Sequence, residues 1–156
     1  MDEEKSIEVL NTLIEINNDR IAGYEAAFKQ TEEDDLKVMF AKFAATSKKC
    51  NEELSVQVIQ MGGTATTDTK AMGAVFRAWM SIKTVLTANA SKSILNSCEI
   101  GEEETEKVYS NVLSNDLDDL SDGQQTIIKA QYAHIKTERD QIKNREDLLV
   151  GQRSKS

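Results

Sequence analysis

The chain has 156 residues, 29% charged and 39% hydrophobic, with seven glycines and no proline. Average usage would give roughly eight prolines, so their absence leaves long helices uninterrupted. Aromatics at 5%, with no period-2 alternation and no regular turn clusters, set aside a sandwich or barrel.

Nineteen Lys and Arg stand against 27 Asp and Glu, a net charge of −8. Such a surface repels phosphate backbones and anionic bilayers, so neither nucleic acid nor membrane is an expected partner. Met1-Asp2-Glu3-Glu4-Lys5 lacks the apolar run of a signal peptide, and no stretch approaches 18 apolar residues. A cytoplasmic protein with two reduced thiols, Cys50 and Cys98, is the expectation.

In chain order, a first helix is predicted over about residues 4–29. Its apolar stripe is Ile7, Leu10, Ile14, Ile21, Tyr24 and Phe28, at steps of three, four or seven. Thr31 is an N-cap candidate for a second helix over 32–61, with acids in its first turn. That helix carries Leu36, Met39, Phe40, Phe43, Cys50, Leu54, Val58 and Met61 before Gly62-Gly63 stops it. A polar loop leads into the most apolar segment, Ala71 to Thr87, read as a short amphipathic helix. Asn89 or Ser91 can cap a long helix over 90–114, with Ile94, Leu95, Cys98, Val108, Tyr109 and Val112. After an acidic turn a last helix runs over about 120–149, with Ile127, Ile128, Ile135 and Ile142, and Gly151 as its stop.

Short links join the first two long helices and the last two, so each pair folds as an antiparallel hairpin. The link over 62–89 is long and holds its own helix, which is the crossover plan of ferritin-like bundles. The expected fold is an all-α, ferritin-like four-helix bundle in one domain over residues 1–156.

The run Leu13-Ile14-Glu15-Ile16-Asn17-Asn18-Asp19-Arg20-Ile21-Ala22-Gly23-Tyr24-Glu25 resembles the opening helix of an uncharacterised bacterial family of ferritin-like four-helix bundles, the domain of unknown function 2383. Gly62-Gly63, Ala78-Trp79-Met80-Ser81-Ile82-Lys83 and Cys98-Glu99-Ile100-Gly101-Glu102 are similar to it in order and spacing. The likeness spans about residues 8–145. It implies a ferritin-like fold and no established activity, and loosely suggests a stress or housekeeping role.

A di-metal centre in such a bundle takes one Glu from each of two helices and Glu-x-x-His from the other two. Here the only histidine is His134, and Gln131 stands where the motif has Glu. Taking the last turn as centred at residue 118 puts Glu102 and His134 at one height, at 1.5 Å per residue. The middle layer then reads Asn17, Asn18, Cys50, Glu102, Gln131 and His134. It fits a hydrogen-bonded polar layer that fixes helix register. The alternatives are a partial iron or manganese site at Glu102 and His134, or both side chains turned to solvent. Glu25 and Glu53 face inward by periodicity, at opposite ends of the first hairpin. Cys50 and Cys98 could meet as a redox pair, though nothing electropositive favours a thiolate. Met72, Phe76, Trp79 and Met80 either pack on their own bundle or form a contact between two copies, being residue types enriched at interfaces. The expectation is a non-catalytic structural or interaction protein without cofactor; the rival is a metal-binding protein or metal-dependent oxidoreductase.

Overall fold

A computed structural model describes residues 2–68, 73–85 and 90–154. Among them are five α-helices: α1 (Glu3–Gln30), α2 (Asp34–Gln60), α3 (Ala74–Met80), α4 (Ala90–Asn115) and α5 (Asp122–Ser154), with short 3-10 turns after α3 (Ser81–Thr84) and before α5 (Leu117–Asp119). No strand occurs among the described residues. The architecture is an all-α bundle.

Local chemistry sets the ends. Asp2 caps α1, its carboxylate accepting from the Glu4 and Lys5 amides. Thr31 is the C-cap of α1 and not the N-cap of α2. Glu33 takes the N-cap position without a side-chain bond, and Thr31 Oγ1 accepts from its amide at 3.2 Å. Gly62, at φ +83°, turns the chain out of α2 in the left-handed region that glycine enters at little cost. Ser121 and Gln124 form a reciprocal capping box at the start of α5, at 3.0 and 3.1 Å. Gly151 does not end that helix, which continues to Ser154; a helical glycine costs only about 1 kcal/mol against alanine. Asn89 lies outside the described residues.

Two apolar clusters fill the bundle. One gathers Ile16, Tyr24, Phe40, Phe43, Trp79, Leu95 and Ile142. The other gathers Leu10, Leu13, Leu54, Val58, Ile128 and Ile135. On α1 the polar residues between the clusters are Asn17, Asp19 and Arg20, and all three are fully buried. α5 buries Gln124, Ile128, Gln131, Ile135, Glu138 and Ile142, a narrow stripe at alternating steps of four and three. Its polar members turn to α2. Gln131 donates to the Cys50 carbonyl at 3.2 Å and to Glu53 at 3.1 Å, and Thr46 donates to Glu138 at 2.7 Å. Arg145 pairs with Asp35 near the other end of α2.

The crossover lies on α1 and α4. Asn11 and Asn18 bond its first residues, donating to the Thr64 and Asp68 carbonyls at 3.1 and 2.8 Å. Trp79 on α3 is fully buried and inserts where two glycines leave room. A Cβ at Gly23 would fall 2.3 Å from its ring, and one at Gly101 would fall 2.5 Å away. Trp79 Nε1 donates to Thr105 Oγ1 at 3.1 Å, which satisfies the one polar atom of the indole. Trp79 therefore packs in the core of its own chain. Phe76 and Met80 are half-buried, Met80 packing on the same cluster, and Met72 lies outside the described residues.

Candidate functional site

At the centre of the bundle stands Arg20, with 0% of its surface exposed. Its Nε donates to Glu102 of α4 at 2.7 Å and its Nη2 to Glu138 of α5 at 2.7 Å. Nη1 donates to the Phe43 carbonyl and to Ser47 Oγ of α2, at 3.1 and 2.9 Å. One guanidinium thus ties together all four long helices, in the fork geometry suited to carboxylates. Burial opposes its charge, but Glu102, and behind it Glu138, outweigh that and hold its pKa above the ordinary value.

From this centre the hydrogen bonds continue toward α4 and α5. Ser47 Oγ donates to Asn17 at 2.8 Å, and Asn17 donates to Tyr109 Oη at 2.8 Å. Tyr109 Oη donates to Gln131 at 2.8 Å. Tyr24 Oη donates to the same Glu102 oxygen that Arg20 holds. Burial raises both tyrosine pKa values well above 10, so both phenols keep their protons and act as donors.

The two carboxylates are not equivalent. Both oxygens of Glu138 are engaged, one by Arg20 and one by Thr46. Glu102 Oε2 is buried without a hydrogen-bond partner. Burial raises the pKa of Glu102, with Arg20 and Tyr24 pulling the other way. One cation faces two carboxylates here, and Glu102, with one oxygen unsatisfied, is the less fully hydrogen-bonded of the two.

Glu102 and His134 are not brought together. The bonds Tyr109–Gln131 and Arg139–Glu103 are symmetric about residues 120 and 121, because a 3-10 turn lengthens the link. The counterpart of Glu102 is therefore Glu138, about one turn beyond His134. His134 is exposed and lines a pocket of about 160 Å³ between α2 and α5 with Thr46, Lys49, Cys50, Glu53 and Gln131. Asn18 leaves the central layer as well. It faces the crossover, bonding the Asp68 carbonyl and Asn51. Glu25 and Glu53 are exposed. Cys50 and Cys98 are free and buried. Burial pushes the Cys50 thiol up to about 12 and raises that of Cys98 as well, which leaves no nucleophilic thiolate at neutral pH. Among the described residues, no group of three or more His, Cys, Asp or Glu side chains could hold a metal ion.

Reading the apolar stripe alone missed Arg20 and Glu138. The signal was spacing: Arg20 lies three residues after Asn17 and four before Tyr24, and Glu138 lies seven after Gln131.

A second acidic contact joins α4 to α5 nearer the end of the chain. The carboxyl of Glu146 is pushed up to about 8, first by burial and then by Glu99, with which it shares a hydrogen bond. A folded-state pKa above the unfolded value of about 4.3 means stability that is full at acid pH and falls as pH rises toward 8. Glu146→Gln is expected to flatten that fall. Thermal melts should show variant and parent alike at pH 4, and the variant more stable at pH 9 by up to about 1 kcal/mol, a half-exposed pair being screened. Parallel curves at both pH values would contradict the pairing.

The family model described as Domain of unknown function (DUF2383) matches residues 5–115, which takes in α1 to α4 and stops before α5. No curated protein matches the chain.

Proposed function

The chain belongs to this family of unknown function, and from that premise we propose that it is a ferritin-like bundle with a structural or interaction role and no catalytic metal pair. It forms one domain over residues 1–156 and works in the cytoplasm, in the stress or housekeeping setting that the resemblance suggests. The observation that carries the reading is the buried guanidinium of Arg20, held between Glu102 and Glu138. A di-metal centre needs four carboxylates and two imidazoles converging on the bundle centre. This centre supplies two carboxylates, and the space between them holds a side chain that is always protonated. A divalent ion brought there would meet a fixed positive charge in a medium of low dielectric. The residues present do not fit a metal pair.

A second observation supports the same reading. The described helices carry no stretch long and apolar enough to cross a membrane, and the polar centre has no nucleophile with an activating base beside it, both thiols being raised.

Elemental analysis of protein purified from cells grown with added iron or manganese tests the proposal. Metal well below one equivalent per chain is the expected result. Stoichiometric metal, lost on changing Glu102→Ala or His134→Ala, would establish the metal-dependent alternative instead.

A further inference from the structure

The outer face of the first hairpin carries a basic stretch. Between Leu36 and Asn51 the sequence holds Lys37, Lys42, Lys48 and Lys49 and no acid, within a chain of net charge −8. The same hairpin exposes apolar surface: Val38 on α2 is 71% exposed, and Phe28 on α1 is 40% exposed. Between the two helices runs a groove of about 300 Å³. Tyr24, Phe28, Ala41 and Ala44 form its apolar lining, and Lys29 and Lys48 stand beside them with Glu25 as the single acid. Lys37 extends the basic rim, with its Nζ 4.9 Å from the centre of the Phe28 ring and bonded to the Phe28 carbonyl at 3.1 Å.

We propose that this groove docks an acidic amphipathic helix of a partner protein, with apolar side chains on the floor and carboxylates against Lys29, Lys37 and Lys48. The inference rests on the interaction role proposed above and names the partner's chemistry. Helix-in-groove recognition needs an apolar channel between two helices and residues small enough to let a third approach, which Ala41 and Ala44 supply. The lysines give charge complementarity, and with it specificity and encounter rate. An anionic bilayer is disfavoured because a flat membrane meets the whole acidic body and not the groove alone.

Fluorescence anisotropy with the full chain tests the proposal. The probe is a labelled helical peptide of Glu, Ala and Leu, of about 18 residues or five turns, with a control in which every Glu is Lys. The Glu peptide is expected to bind saturably, and the Lys peptide at least about tenfold more weakly. Lys29→Glu combined with Lys48→Glu should cost about tenfold or more in affinity for the Glu peptide, and circular dichroism should show the bundle intact, since both lysines are exposed. Phe28→Ala should weaken the Glu peptide without changing the preference for acid. Absence of saturable binding, equal binding of the two peptides, or indifference to the charge reversal would overturn the proposal. So would binding confined to phosphatidylglycerol vesicles, which would assign the groove to lipid. Metal content is untouched by these substitutions, so failure here is distinguishable from failure of the non-metal reading.

Discussion

Replacing Arg20 with Met is expected to cost about 3–5 kcal/mol of folding stability, the range for removing one partner from a buried ion pair. The cost arises less from the lost attraction than from what stays behind. Glu102 and Glu138, at 0% and 2% exposure, would face each other without a cation, and Ser47 and the Phe43 carbonyl would lose a donor. Against a typical stability of about 5–15 kcal/mol, such a loss leaves many domains partly unfolded at 37 °C. Urea denaturation followed by circular dichroism measures it. The two carboxylates should then part company. Glu138→Gln removes a charge whose two oxygens are both bonded, and it should destabilise. Glu102→Gln replaces a group whose second oxygen is unsatisfied, and should cost clearly less. Replacing Arg20, Glu102 and Glu138 together by Met should recover most of the loss, since a fully apolar substitute carries no orphaned charge. Equal costs for the two glutamine variants would show that the unsatisfied oxygen of Glu102 makes no difference.

The helices were legible because their causes are local. Absent prolines, stripes at steps of three and four, and the glycines after α2 act within a few residues of the structure they produce. The centre was legible only in part. Asn17, Glu102 and Gln131 stand out as polar residues on apolar stripes, but Arg20 does not, because arginine on a helix is ordinarily solvated and reads as outer surface. What turns it inward is the convergence of Glu102 and Glu138, which come from helices more than 80 residues away. The pairing of heights failed for a different reason. A single 3-10 turn between α4 and α5 moved the reflection point from 118 to about 120 and exchanged His134 for Glu138 as the counterpart of Glu102. Trp79 shows the same limit. Its partners Gly23 and Gly101 are isolated glycines in two separate helices, each a hint of close approach, and nothing in the linear chain says that one ring fills both.

That arrangement sets the second large expectation, in which a substitution changes sign with its background. Trp79→Ala should cost about 3–5 kcal/mol, as large aromatic truncations in packed cores do, and it also strands Thr105 without the indole donor. Gly101→Ala in the parent protein should destabilise. Alanine is favoured over glycine inside a helix by about 1 kcal/mol, but its Cβ would lie 2.5 Å from the indole. The indole cannot retreat, because Tyr24 packs against it with ring centres 4.8 Å apart and Gly23 closes the other side. In the Trp79→Ala background the clash is gone and the vacated space lies open to the new methyl group. There Gly101→Ala should stabilise, by the helix propensity gain and by filling part of the cavity. A double-mutant cycle read by chemical denaturation should therefore give a coupling of about 1–3 kcal/mol between the two positions. Additive effects would mean that the ring does not occupy the space above Gly101.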